Sequence, residues 1–142
     1  MEATPLRVLI ADDYYAFRQG LKVMLSFEPD ITVIAEATNG RQTVELALKH
    51  KPDAVVMDLS MGSVSGIEVI RQIVSQLPGT KVLVLSGHSE QRLIEEALAS
   101  GAHGYLSKSS SLRDVCVGLR EIRKGYSFVK VGRAAGAVES QI

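Results

Sequence analysis

The hydrophobic positions of this chain follow two alternating rhythms. Five short apolar runs read as strands: Leu6 to Ala11, Ile31 to Glu36, Ala54 to Asp58, Lys81 to Ser86 and Gly104 to Leu106. The first, third and fourth are nearly continuous in Val, Leu and Ile, the pattern of strands covered on both faces of a parallel sheet. The second is mixed and the fifth is short. Between the runs, apolar residues recur at helical spacing. Phe17, Leu21, Met24 and Leu25 share one face, as do Val44, Ala47 and Leu48, and then Ile70, Ile73, Val74 and Leu77. Leu93, Ile94, Ala97 and Leu98 mark a fourth helix; Leu112, Val115, Cys116, Leu119 and Ile122 mark a fifth. Breakers separate the segments at Glu28-Pro29-Asp30, Asn39-Gly40, Lys51-Pro52-Asp53, Pro78-Gly79 and Ser100-Gly101. Strict alternation of strand and helix predicts an α/β fold with a doubly wound parallel sheet, because each crossover must lay its helix on the sheet with one hand.

After Lys124 the character changes. Val129 to Ile142 holds Gly132 and a small-residue run from Ala134 to Ala137, without sustained apolar periodicity. Residues 1–126 are therefore expected to form one domain, and residues 127–142 a linker or tail too short for another. A length of 142 residues suits that single core. With 46% hydrophobic and 23% charged residues, the chain has the composition of a folded domain. Its formal net charge of +0 gives no electrostatic reason to expect nucleic acid or membrane as a direct partner. Cys116 is the single cysteine, which excludes an intramolecular disulfide, and three histidines offer no zinc-type cluster. No apolar run approaches the ~20 residues that span a bilayer, so the expectation is a cytoplasmic domain.

In an open parallel sheet, ligands bind at the carboxyl ends of the strands. Asp12 and Asp13 follow the first run, Asp58 ends the third, Ser86 ends the fourth and Lys108 lies just past the fifth. Five reactive or ligating groups thus share one edge of the sheet. Clustered carboxylates repel one another and call for a cation. A hard divalent ion suits oxygen ligands, and Mg²⁺ binds one or two carboxylates together with a phosphoryl group. Lys108 would add a point charge able to pair with Asp58 or a phosphoryl oxygen. These parts suit phosphoryl transfer to a carboxylate nucleophile. Taken singly, each has a plainer reading: an Asp pair can be a helix cap, Ser86 a turn residue and Lys108 a solvated side chain. Their conjunction on four strand ends is what points to chemistry.

The segments Val8-Leu9-Ile10-Ala11-Asp12-Asp13, Val55-Val56-Met57-Asp58-Leu59 with Gly66-Ile67-Glu68, Val82-Leu83-Val84-Leu85-Ser86, and Gly101-Ala102-His103-Gly104-Tyr105-Leu106-Ser107-Lys108 together resemble the receiver domain of two-component response regulators. The resemblance runs from about Leu6 to Tyr126. The last segment and Ile122-Arg123-Lys124-Gly125 are similar to the subfamily whose receiver precedes a LuxR-type helix-turn-helix output domain. The resemblance implies a (βα)5 fold with flavodoxin-like strand order 2-1-3-4-5. It implies that a partner sensor histidine kinase phosphorylates Asp58. Asp13, Asp58 and the backbone carbonyl of Ser60 would bind Mg²⁺, with Asp12 acting through water. Lys108 would contact the phosphoryl group, the Ser86 hydroxyl would move to it, and the Tyr105 ring would turn inward as Ser86 moves. The switched surface would be the fourth helix, fifth strand and fifth helix, roughly Ser89 to Lys124, which is also the implied homodimer face. The implied output is transcription, with DNA reached only through an output domain absent from these residues.

Three features depart from the family's pattern. Gly62 stands where proline is common, so the loop after Asp58 is expected to be looser or to turn differently. Tyr14 follows the acidic pair where the subfamily often has His, and no helix-turn-helix pattern follows Tyr126. Gly87 reads equally as a turn glycine or as an opening for a phosphoryl donor. Ser60 is either a loop serine or a residue that tunes hydrolysis of the phosphate. Cys116 reads as core, His50 as a helix-end cation, and His88 and His103 have no partner that spacing can name. Two other functions share this chemistry in part. A phosphohydrolase working through an aspartyl phosphate would want an acid/base carboxylate close after Asp58, where Leu59, Ser60 and Met61 stand. A module that keeps the fold without phosphate would not need Asp12, Asp13, Asp58, Ser86 and Lys108 together.

Overall fold

The computed structural model describes residues 4–131 and 138–140, the last three by their backbone alone. Its elements are β1 (Leu6–Ala11), α1 (Tyr15–Leu25), β2 (Ile31–Ala37), α2 (Gly40–His50), β3 (Ala54–Met57), β4 (Ser60–Met61) and β5 (Val64–Ser65). Then come α3 (Gly66–Gln76), β6 (Lys81–Ser86), α4 (Gln91–Ala99), β7 (Gly104–Ser107), α5 (Leu112–Arg123), β8 (Phe128–Val131) and β9 (Val138–Ser140). The main sheet has the order β2-β1-β3-β6-β7-β8-β9, parallel throughout except for antiparallel β9. The five strands expected from the sequence are β2, β1, β3, β6 and β7, in the 2-1-3-4-5 order of a flavodoxin-like receiver fold.

Alternate side chains of each strand feed two cores. Leu9, Val55, Met57, Val82, Val84 and Tyr105 face α2, α3 and α4. Val8, Ile10, Val56, Leu83, Leu85 and Leu106 face α1 and α5. The near-continuous apolar runs are thus explained by burial on both faces. The mixed second run has a physical cause too: the β1–β2 register shifts between Val8 and Leu9, so β2 loses its clean alternation. Asn39 caps α2 by accepting from the Gln42 amide at 2.8 Å, and Ser111 with Asp114 forms a capping box on α5. Lys51 ends α2 in a left-handed conformation (φ 48°) just before Pro52. Cys116 is buried on the stripe of α5, and burial pushes its thiol pKa up, as a core cysteine requires. No helix among the described residues is long and apolar enough to cross a membrane.

The structure differs from the sequence expectations in three places. Met24 and Leu48, grouped by spacing with the core faces of their helices, are exposed at the stripe edges. The loop after Asp58 contains a short antiparallel hairpin, β4–β5, closed by Gly62 and Ser63. The segment expected as linker begins instead with a strand, because Phe128 and Val129 are apolar enough to cover the open edge of β7. The small-residue run Ala134 to Ala137 lies outside the described residues.

Candidate functional site

The parallel register carries Asp12, Asp13 and Asp58 to one end of the sheet. Asp12 follows β1 and continues its ladder, its amide donating to the Ala37 carbonyl at 3.0 Å. Asp58 does the same past β3, its amide donating to the Ala11 carbonyl at 3.1 Å. Both carboxylates are buried, whereas Asp13 is exposed. One carboxylate oxygen from each of the three lies within 4.8 Å of the others.

Lys108, one residue beyond β7, reaches into this cluster. Its Nζ lies 2.8 Å from Asp12 Oδ2 and 2.9 Å from Asp58 Oδ2, so one ammonium bridges two carboxylates. Burial works to lower the Lys108 pKa, but the hydrogen bonds to Asp12 and Asp58 together outweigh it and hold the value above that of an ordinary lysine. The Phe17 ring, its centroid 4.6 Å from Nζ, covers the ammonium from α1. The other oxygens are also engaged: Asp12 Oδ1 accepts from the Tyr14 amide at 2.8 Å and Asp58 Oδ1 from the Ser60 amide at 3.3 Å. The Arg18 guanidinium donates to the Asp12 carbonyl at 2.8 Å and fixes the backbone there. Among the described residues, no hydrogen bond or ion pair engages the Asp13 carboxylate. Three carboxylates against one ammonium leave a formal surplus of two negative charges. An all-oxygen set with that surplus fits a hard divalent cation better than a soft one.

Local backbone shape supports the site. A Cβ on Gly66 would stand 2.6 Å from the Leu59 Cα and carbonyl oxygen, so only glycine lets α3 begin against the residue that follows Asp58. Gly62 has φ 87°, which proline cannot adopt, and it starts the two-residue turn of the β4–β5 hairpin. The residue that stands in place of the family's common proline thus uses a backbone conformation closed to proline. A Cβ on Gly87 would meet nothing within 4 Å, so the backbone next to Ser86 opens onto free space.

Ser86 and Tyr105 form a second group, joined through His88. Ser86 is fully buried, and its Oγ accepts from the His88 amide at 3.0 Å. The Tyr105 hydroxyl donates to the His88 carbonyl at 2.8 Å, and burial pushes its pKa up. The His88 ring nitrogen Nε2 lies 3.1 Å from Ser60 Oγ, which ties this group to the loop after Asp58. Sequence spacing left His88 without a partner. Its position two residues past Ser86 matches that of Ser60 past Asp58, yet contact between loops of different strands is a product of the fold. Phe17 was read as core alone; nothing in its spacing indicated the ammonium beside it.

A family model described as the response regulator receiver domain matches residues 8–120. The chain is 35% identical over 137 residues to the transcriptional regulatory protein LiaR of Bacillus subtilis (strain 168), covering 96% of this chain and 64% of that protein. It is 34% identical over 124 residues to the transcriptional regulatory protein DegU of Brevibacillus brevis, covering 87% of this chain and 52% of that protein. It thus spans roughly half to two thirds of the length of these relatives. Among solved structures, the signal receiver domain of the response regulator NarL from Mycobacterium tuberculosis is similar with TM-score 0.83 and 32% identity, over 87% of this chain and 99% of that one. A two-component response regulator of the LuxR family from Aurantimonas sp. SI85-9A1 gives TM-score 0.82 and 29% identity, over 86% of this chain and 87% of that one.

Proposed function

The chain belongs to the response regulator receiver family, and from that premise we propose that Asp58 is its phosphoacceptor in a two-component signalling switch. The observation that carries the reading is the Lys108 ammonium shared by Asp12 and Asp58, with the exposed Asp13 carboxylate beside them. Asp13, Asp58 and the Ser60 carbonyl would hold Mg²⁺, with Asp12 reaching it through water. Held by these residues, Mg²⁺ would supply positive charge to the oxygens of a phosphoryl group during its transfer.

The residues of the chain do the rest. An Asp58 carboxylate oxygen attacks phosphorus in line, the bond to the histidine nitrogen of a sensor kinase breaks, and an aspartyl phosphate remains. Lys108, already held by Asp12, keeps its charge beside the oxygens that now carry the negative charge. Ser86 gives up part of its bond with the His88 amide as its hydroxyl turns toward the phosphoryl group. Tyr105, bonded to the same residue, registers that movement at the surface formed by α4, β7 and α5. That surface would control an output, which in relatives of this kind is transcription through a DNA-binding domain, and would serve as a homodimer face. The setting that suits this role is the cytoplasm.

A turnover phosphohydrolase is the weaker reading. Leu59 and Met61 are buried apolar residues, so an acid/base carboxylate close after Asp58 is lacking. The deciding measurement is intact-protein mass spectrometry after incubation with acetyl phosphate and Mg²⁺. One added phosphoryl group, lost with a chelator present during incubation and absent from Asp58→Ala, is the expected result. A folded wild-type chain that gains no phosphoryl group from acetyl phosphate or from phosphorylated kinase would overturn the proposal.

A further inference from the structure

We propose that Phe128–Val131 is a regulatory strand whose hold on the β7 edge is set by the phosphorylation state of Asp58; this rests on the receiver reading above. β8 pairs in parallel with β7, matching Gly104 with Phe128, Tyr105 with Val129 and Leu106 with Lys130. Its first two side chains enter opposite cores, as those of an interior strand do. Phe128 packs with Leu83, Leu106, Leu119 and Ile122, and Val129 belongs to the cluster of Tyr105, Ile94 and Ala97.

The surroundings are cut to receive this strand. A Cβ on Gly104 would stand 2.8 Å from the Phe128 carbonyl oxygen, and one on Gly118 would stand 3.2 Å from the Phe128 ring. The Phe128 amide donates to the His103 carbonyl at 3.2 Å, and Lys130 Nζ lies 3.1 Å from Asp114 Oδ1 in the first turn of α5. The strand therefore lies between α4 and α5, on the surface through which the switch would act.

Tyr105 links the two events. Side chains paired across a parallel ladder point to the same face, so Val129 flanks the Tyr105 ring on the edge side of the sheet. With β8 docked, the ring has no exposed surface, and its hydroxyl is held by His88, whose amide is held by Ser86. In the proposed switch, a ring turned outward would move toward the sheet edge that Val129, its ladder partner, covers. Inward Tyr105 and docked β8 thus belong to one state, and outward Tyr105 requires β8 to lift. Phosphorylation, by drawing Ser86 and holding the ring inward, tightens β8 and passes the signal to the chain beyond α5.

The test is hydrogen–deuterium exchange on the full chain, with and without acetyl phosphate and Mg²⁺, while intact mass records Asp58 occupancy. Amides of residues 128–131 and 104–106 should exchange slower by roughly tenfold or more in the phosphorylated chain. Val129→Asp, which sets a charge against the ring, should leave residues 128–131 unprotected in both states. Val129→Ala, the milder variant should the first fail to fold, should shrink the difference while Asp58 is still phosphorylated. Verified phosphorylation with unchanged exchange at 128–131 would overturn this inference and leave the receiver reading standing. A chain that takes up no phosphoryl group would overturn both.

Discussion

The Tyr105 hydroxyl donates to the backbone carbonyl of His88 at 2.8 Å from a ring with no exposed surface. Such a buried tyrosine is held by polar contacts at its tip, here the His88 carbonyl and the Ser86 side chain, and by packing everywhere else. The same His88 donates its amide to Ser86 Oγ at 3.0 Å, so one residue connects the end of β6 to the interior of β7. Tyr105→Phe keeps the ring and removes only the tip. It should lower unfolding free energy by about 1 kcal/mol, measured by urea denaturation. It should also weaken the response of the α4–β7–α5 surface to phosphorylation, read as chemical shifts of α4 amides. An unchanged denaturation midpoint would show that the bond contributes nothing to the fold.

How much of this was legible beforehand follows from which interactions are local. Strand and helix periodicities placed all five β/α units, because continuous burial writes itself into runs such as Val82 to Leu85. The clustering of the candidate residues was legible for a related reason: Asp12, Asp58 and Lys108 lie at or just beyond strand ends, and the parallel topology brings those ends together. What spacing could not show depends on contacts between loops or on an edge needing a cover. The Ser60–His88 contact is of the first kind. β8 is of the second, since Phe128 and Val129 read as too short a run until the open β7 edge beside them is known. Gly62 is a third case: glycine announces freedom, and only the fold shows that a left-handed φ of 87° is used.

Lys108 holds two buried carboxylates, and its removal leaves like charges facing each other. Lys108→Ala should lower stability at neutral pH by about 2 kcal/mol or more, since stranding a buried charge costs more than an ion pair contributes. Millimolar Mg²⁺ should restore part of the loss by supplying positive charge to the same oxygens. The measurement is the melting temperature of wild type and variant with and without Mg²⁺. Equal Mg²⁺ shifts in the two would mean that the ion and the ammonium do not share the carboxylates.

Restoring the family's common residue at position 62 should harm this chain. Proline fixes φ near −65°, and Gly62 sits at 87°, so Gly62→Pro forces the β4–β5 turn to rebuild. The expected cost is at least about 1 kcal/mol, seen in urea unfolding, together with slower phosphoryl uptake from acetyl phosphate as the Ser60 segment shifts. Gly62→Ala should fall between the two, because alanine tolerates a left-handed φ at a cost of about 1 kcal/mol. A proline variant as stable as wild type would mean that the hairpin is incidental.

His103 should make stability fall in mildly acidic solution, for a reason separate from the Asp12–Asp58–Lys108 cluster. Its Nδ1 lies 3.0 Å from the Val82 amide, which can only donate, so Nδ1 must be unprotonated. Burial, with a smaller push from the Lys81 charge, lowers the His103 pKa from its ordinary 6.5. The unfolded chain therefore binds a proton more readily than the folded one between that lowered value and 6.5. The contribution is fully present above pH 6.5, declines as pH falls through this window and is gone below the folded pKa. Most carboxylates stay ionised down to about pH 5, so melting temperatures at pH 7.5 and 5.5 isolate the histidines. His103→Asn removes the titration while its Oδ1, one bond from Cγ as Nδ1 is, takes over the acceptor role. The difference in melting temperature between the two pH values should shrink in the variant. An undiminished difference would show that His103 does not carry the acid sensitivity and leave its ring a pH-independent part of the sheet's end.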